Sequence, residues 1–209
     1  MYDLFNQDDF GNASLNNLGM RNDISIIEGL KYVPEFITEA EERYLLQSIN
    51  SESWLTDIKR RVQHYGYRYD YKARSIDYSM YLGEVPLWSK IIAERLVEMN
   101  YLDYLPDQII VNEYVPGQGI ANHVDCEPCF ADTIITISLN SNCIMDFISL
   151  ETKQKVEVLL QPRSLVVIKG VSRYKWTHGI PSRKTDIFNN SKINRDLRVS
   201  LTFRKVIFK

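Results

Sequence analysis

In the stretch GIANHVDCEPCF, residues 119–130, a histidine and an aspartate stand two residues apart and two cysteines three apart. Two metal chemistries compete for these residues. Cys126 and Cys129 have the spacing of half a zinc site, which needs a second pair of ligands. The one other cysteine, Cys143, lies in a strand-like run, so that second pair is missing. His123 and Asp125 offer something different. Residues two apart on a strand point the same way. A neutral imidazole beside a carboxylate is two thirds of the 2-His-1-carboxylate set that holds non-haem Fe(II). The chain contains three histidines, His64, His123 and His178. His178, 55 residues beyond His123 in SRYKWTHGI, is the candidate third ligand, because several strand-like runs between them allow the chain to turn back.

Such a triad covers one face of the metal and leaves positions for a chelating 2-oxo acid and for O2. The carboxylates of the 2-oxo acid need cationic partners. In Arg198–Arg204, RVSLTFR, the even positions are Arg, Ser, Thr and Arg and the odd ones Val, Leu and Phe. As a strand, this run has one cationic face and one apolar face. Two arginines aimed into a barrel are costly without anions. A dicarboxylate cosubstrate together with Asp125 would meet that need through bidentate bonds. Six strand residues span ~20 Å, so the two arginines must lean together or the strand must bend. Each signal alone has an ordinary explanation: an isolated His-x-Asp, a structural histidine, a basic edge strand. Together, in this order on a β scaffold, they favour iron and 2-oxoglutarate.

The scaffold itself is legible in outline. The chain has 209 residues, 44% of them hydrophobic, which suits one domain with a sizeable core. Its net charge of −2 provides no global basic field, so a nucleic-acid partner would need a local basic patch. Residues 1–22, rich in Asn and Asp, are expected to form a mobile arm. Thr38-Glu-Ala-Glu41 has the form of a capping box that opens a helix to about Asn50. A second helix follows Pro86, with an apolar stripe of Trp88, Ile91, Ile92, Leu96 and Met99. After Pro106, short runs such as QIIVNEYV, TIITISL, CIMDFI, KVEVLL and SLVVIK alternate with turns at Pro116-Gly117, Asn140-Ser141, Pro162 and Gly170. Helices first and then many short strands predict an antiparallel barrel or sandwich. The odd cysteine count argues against a disulfide framework, and MYDLFNQDDFGNAS lacks the basic and apolar regions of a secretory signal. A soluble, reducing, cytoplasmic setting (or the nucleus of a eukaryote) and a monomer are the expectations.

The runs NEYVPGQGIANHVD, WTHGI and RVSLTFR resemble the AlkB family of Fe(II)/2-oxoglutarate-dependent dioxygenases over most of residues 25–207. YVPGQGIANHVD, MDF, RSLVVIKG and SRYKWTHGI are most similar to the family's tRNA wobble-uridine hydroxylase branch. The resemblance implies an α+β, mainly β fold. Its core is a double-stranded β-helix, or jelly roll, over residues 107–207, within a single domain spanning 23–209. Supporting N-terminal helices and a nucleotide-recognition lid over 59–74 complete it. It implies that His123, Asp125 and His178 hold Fe(II). Arg198 would bind the distal carboxylate of 2-oxoglutarate, and Arg204 would sit near its chelating end and pair with Asp125. Asn112 and Tyr114 match the family's Asn-x-Tyr pair at the cosubstrate. The implied reaction uses O2 and 2-oxoglutarate, yields succinate and CO2, and hydroxylates a substrate C–H; on an N-methyl group, formaldehyde leaves.

The candidate lid, KRRVQHYGYRYDYKAR, interleaves Arg60, Arg61 and Arg68 with Tyr65, Tyr67, Tyr69 and Tyr71. Basic groups neutralise phosphates and aromatic planes stack bases; an enzyme working on a base meets it unstacked. As one strand, the four tyrosines would share a face. Arg60, Arg61, Tyr65, Tyr67 and Arg68 are the candidate substrate contacts, and His64 is expected at the lid or surface rather than on the metal. The expected activity is oxidative demethylation of alkylated bases in DNA or RNA. The alternatives are hydroxylation of an existing tRNA modification, a protein-directed demethylase or hydroxylase, and an inactive binding module.

Overall fold

The computed structural model describes residues 24–56 and 58–208, so the arm expected over 1–22 lies outside the described residues. The first helix, α1 (Glu39–Asn50), starts where the capping box requires. The Glu41 amide donates to the Thr38 hydroxyl at 3.2 Å, and the Thr38 amide donates to the Glu41 carboxylate at 2.7 Å, so two orphan donors are satisfied. The same Glu41 carboxylate accepts a hydrogen bond from Arg95 of α2 (Leu87–Glu98), which ties the two helices together. Trp88, Ile92 and Leu96 form the buried stripe of α2. Met99 does not complete it. The helix ends at Glu98, Met99 is its C-cap, and Asn100 at φ 58° turns the chain away, leaving Met99 38% exposed.

Twelve strands follow and precede these helices among the described residues. In chain order they are β1 (Leu30–Val33), β2 (Arg61–Tyr65), β3 (Gln108–Tyr114), β4 (Ile120–His123), β5 (Thr133–Leu139) and β6 (Cys143–Ser149). The remainder are β7 (Lys155–Leu160), β8 (Leu165–Lys169), β9 (Trp176–Ile180), β10 (Thr185–Phe188), β11 (Ser191–Asn194) and β12 (Arg198–Arg204). They build a six-stranded sheet of order β1-β8-β5-β12-β3-β2, a four-stranded sheet of order β4-β9-β6-β7, and the β10-β11 hairpin. Two antiparallel sheets facing each other, with helices on the outer side of the larger one, make the jelly roll. Of these strands, β1 and the β10-β11 hairpin were not anticipated. The hairpin turns on Asn189-Asn190, both in the left-handed region at φ 49° and 62°, a conformation asparagine tolerates.

Period-two alternation divides each central strand between two cores. Ile109 and Val111 of β3, Ile135, Ile137 and Leu139 of β5, and Val199, Leu201 and Phe203 of β12 pack against Leu45, Ile49, Trp88, Ile92 and Leu96 of the helices. The opposite faces look inward. There Ile134, Val166 and Ile168 meet Met145, Phe147, Trp176 and Ile180 of the smaller sheet. Among the described residues, no helix is long and apolar enough to cross a membrane.

Candidate metal centre and cosubstrate cavity

His123 is the last residue of β4, and its Cα pairs across the ladder with that of His178 at the middle of β9. This pairing closes the 55-residue gap between them, and it brings the two ring centroids to 4.5 Å. The close approach of the strands depends on Gly179. A Cβ there would lie 2.1 Å from Asn122 Oδ1 and 2.8 Å from the Asn122 amide nitrogen. Asp125 lies just beyond the end of β4 rather than on it, so alternation along the strand is not what aims it. Its loop is held by Arg173, 2% exposed, whose guanidinium donates to the carbonyl of Asp125 at 3.0 Å and to that of Cys126 at 3.4 Å. Nothing in SRYKWTHGI marked Arg173 for that role, because its partners lie 48 and 47 residues away.

The potential ligand atoms of His123, Asp125 and His178 all lie within 4.8 Å of one another. His178 Nε2 is 3.5 Å from Asp125 Oδ2. His123 Nδ1 lies 2.8 Å from the carbonyl oxygen of Ala121. A carbonyl only accepts, so Nδ1 carries the hydrogen and Nε2 keeps a lone pair for a metal. Asp125 Oδ1 accepts from Arg204 at 2.5 Å, whereas the buried Oδ2 has no hydrogen-bond partner. A buried carboxylate oxygen left unsatisfied beside two imidazoles is what a bound cation would complete.

Protonation states agree with that use. Burial pushes the Asp125 carboxyl up, but the Arg204 guanidinium, helped by His178, His123 and Arg173, outweighs it and holds the group well below the usual carboxylate range. Burial pushes His178 down to about 4, against the pull of Asp125. At neutral pH the site therefore presents one anion and a neutral His178, the forms a divalent metal binds. The shift also sets an acid limit. An unfolded His178 takes up a proton near its ordinary pKa of 6.5, while the folded one does so near about 4. Folding stability of the metal-free protein is thus fully present above 6.5 and is lost as pH falls toward 4, by about 3 kcal/mol from this group. Urea unfolding at pH 7 and pH 4.5 reads the effect; a midpoint that does not fall would contradict it.

The triad forms one end of a cavity that Asn112, Tyr114, Arg198 and Arg204 also line. The cationic face of β12 turns inward as its alternation required, with Ser200 and Thr202 between the arginines. Arg198 is 3% exposed; it donates to Ser138 Oγ at 2.8 Å and lies 5.5 Å from the centre of the Tyr114 ring. Its Nε has no hydrogen-bond partner, and among the described residues it has no carboxylate. A buried guanidinium in that condition calls for an anion.

The candidate lid behaves differently from a single strand. Within it only Arg61–Tyr65 is a strand, the edge of the large sheet beside β3; Tyr67 and Asp70 make single bridges to Tyr81 and Ser75. Gly66 then turns at φ 75°, packed so closely on the Asp107 carbonyl that a Cβ would lie 1.7 Å from its oxygen. The shared face of four tyrosines therefore does not form. Tyr65 points to the helices, edge-on to Trp88 at 5.4 Å. Tyr67 packs on Tyr81 and Phe208, and Tyr69 on Phe130 and Tyr71. Arg61 also faces outward, with two hydrogen bonds to Glu113, 2.7 and 2.6 Å. Neither Arg61 nor Tyr65 faces the cavity. Arg68 is exposed, and Arg60 reaches Asn112. Beneath the turn lies a second cavity of about 490 Å³, walled by His64, Arg68, Tyr69, Tyr71 and Lys72. His64 belongs there, edge-on to Tyr71, and not to the metal set.

Cys126 and Cys129 correct an expectation. They form a disulfide, with Cα atoms 5.3 Å apart, and both are buried. An odd count argues against a framework of long-range bridges; it says nothing about a loop that closes on itself over three residues.

Residues 29–204 match the model of the 2OG-Fe(II) oxygenase superfamily. The chain belongs to that superfamily. Its relatives put this 2OG-Fe(II) oxygenase in the AlkB family. It is 37% identical over 182 residues to the uncharacterized protein L905 of Acanthamoeba polyphaga mimivirus, covering 87% of this chain and 86% of that one. It is 37% identical over 218 residues to mouse tRNA (carboxymethyluridine(34)-5-O)-methyltransferase ALKBH8, covering 93% of this chain but only 32% of the mouse protein. The structure of OsALKBH1 superposes with a TM-score of 0.66 at 15% identity, over 85% of this chain and 98% of that one, which supports the jelly roll. The superfamily implies Fe(II) and 2-oxoglutarate, and the donor set of the His123–Asp125–His178 cluster fits Fe(II).

Proposed function

We propose that this dioxygenase oxidises a C–H group on a base of a nucleic acid, with His123, Asp125 and His178 as the iron ligands. The observation that carries the reading is the pairing of two cavities. One holds the triad with two arginines, and the other, under the turn that follows β2, has aromatic walls and the cationic side chains of Arg68 and Lys72. Aromatic planes and cations together suit a flipped or unstacked base and its phosphates.

Fe(II), O2 and 2-oxoglutarate would supply the oxidation itself. The chain's own residues bind and orient. Arg204 keeps the Asp125 carboxylate ionised and fixed. Arg198 takes the distal carboxylate of the dicarboxylate, and Asn112 and Tyr114 take further contacts along β3. The buried walls of Ile134, Val166 and Ile168 keep water from the reacting groups. Arg198→Ala is expected to raise the 2-oxoglutarate KM on the order of thirtyfold or more, because it removes one partner of a desolvated charge pair. Succinate release against 2-oxoglutarate concentration measures this, and an unchanged KM removes Arg198 from the site.

Two base chemistries share this machinery. Demethylation of an N-methylated base releases formaldehyde; hydroxylation of an existing tRNA modification adds one oxygen and releases none. The 37% identity to the mouse tRNA enzyme favours tRNA as the substrate, although this chain spans about a third of that protein. Formaldehyde assay and product mass, across N-methylated DNA and RNA oligomers and unfractionated tRNA, separate them. Turnover of 2-oxoglutarate with no change in any of these substrates would overturn the nucleic-acid reading.

A further inference from the structure

Arg60 was expected among the lid's substrate contacts, and its side chain reaches Asn112, a residue that lines the triad cavity. Arg60 precedes β2 by one residue and, by alternation, lies on the inward side with Val62, whose Cα pairs with that of Asn112. Its Nε donates to Asn112 Oδ1 at 2.7 Å. Its guanidinium carbon lies 5.5 Å from the centre of the Tyr114 ring and 6.0 Å from that of Tyr71.

This contact decides the direction of an amide. A guanidinium carries donors and no acceptor. Whatever atom of Asn112 it faces must be the oxygen, so the NH2 group is what Asn112 has left to offer the cavity it lines. An amide without such a neighbour can turn over and present its oxygen instead. Toward a carboxylate, the first orientation donates a hydrogen bond and the second sets two acceptors against each other.

We propose that Arg60 is a positioning residue for 2-oxoglutarate: it locks the Asn112 side chain with its amide nitrogen toward a carboxylate of the cosubstrate. This inference rests on the reading above that Asn112 belongs to the cosubstrate site. It moves Arg60 from substrate capture to cosubstrate affinity, and it makes the requirement a donor-only side chain at position 60 rather than a guanidinium as such.

The test uses the whole protein with saturating Fe(II), without nucleic acid, and follows succinate formation against 2-oxoglutarate concentration. The visible charge-transfer absorption of the anaerobic Fe(II)–2-oxoglutarate complex gives binding independently of turnover. Arg60→Ala is expected to raise the 2-oxoglutarate KM about tenfold, the size of one lost hydrogen bond to a charged group, and to leave kcat within about twofold. Arg60→Lys, also donor-only, restores most of the affinity. Asn112→Asp keeps an acceptor for Arg60 but has no amide nitrogen, so its KM rises at least as far as that of Arg60→Ala. An unchanged 2-oxoglutarate KM in Arg60→Ala overturns the proposal. If Asn112→Ala also leaves 2-oxoglutarate binding unchanged, the assignment of Asn112 itself has failed and the role of Arg60 falls with it.

Discussion

His178→Ala is expected to abolish Fe(II)-dependent conversion of 2-oxoglutarate to succinate, a loss on the order of a thousandfold or more. The size follows from position. Removing a residue that only orients a metal ligand already costs about 10–100-fold, and in the proposed site His178 would supply a ligand atom directly. Without it, His123 Nε2 and Asp125 Oδ2 remain, two donors on one side of an open space. The variant should fold. His178, its side chain 12% exposed, lines a cavity rather than filling the core, and Asp125 keeps its contact with Arg204. Stability gives a second readout from the same substitution. Much of the acid sensitivity predicted for the metal-free protein comes from the depressed His178 pKa, so the variant should lose less stability between pH 7 and pH 4.5 than the parent. A folded His178→Ala protein that retained Fe(II)-dependent succinate formation would remove the triad assignment.

The parts of this site that were legible in the sequence are those governed by local periodicity. RVSLTFR announced its two faces because a strand alternates strictly, and the structure places Arg198, Ser200, Thr202 and Arg204 on the cavity side and Val199, Leu201 and Phe203 against the helices. Thr38 and Glu41 announced a helix start because a capping box is a four-residue event. The union of His123 with His178 was an inference from chemistry, since only two histidines besides His64 exist to satisfy one triad. What stayed hidden depends on contacts across tens of residues. The tyrosines of residues 65–71 looked like one strand face, but Gly66 breaks the strand because its backbone is pressed against the Asp107 carbonyl, a neighbour 41 residues away. Arg60 looked like a phosphate contact, and only the pairing of β2 with β3 reveals Asn112 as its partner. Arg173 gave no signal at all. A buried cation that holds two backbone carbonyls has no sequence pattern to betray it.

Asp186→Ala is expected to destabilise the protein by about 3–5 kcal/mol, the cost of leaving a buried charge without its partner. Asp186 of β10 is 0% exposed, and its carboxylate is fully engaged. Oδ2 accepts from Arg195 Nε at 2.7 Å and from the Ile144 amide of β6 at 3.1 Å. Oδ1 accepts from Arg195 Nη2 at 2.8 Å and from Arg183 Nε at 2.6 Å. Burial pushes this carboxyl up, but the hydrogen bonds from Arg195 and Arg183 overcome it and hold it below its ordinary value. Arg195 is itself 8% exposed and also donates to the Pro181 carbonyl, just past β9. One carboxylate thus fastens the β10-β11 hairpin to two strands of the smaller sheet, β6 by its amide and β9 through Arg195. Alanine would strand Arg195 in a site built for an ion pair, while Arg183, more exposed, could turn to solvent. In a chain of this size the loss corresponds to a fall in Tm of roughly 6–20 °C. Asp186→Asn keeps the shape and some of the hydrogen bonds but not the charge, and should fall between the two. Thermal and urea unfolding of the three proteins measure the order, and a Tm for Asp186→Ala within a degree or two of the parent would show that the hairpin is held by something other than this pair. Because Arg195 and Arg198 border the same small recess next to Tyr114, a loosened hairpin should also weaken 2-oxoglutarate binding, and more so as the temperature approaches the lowered Tm.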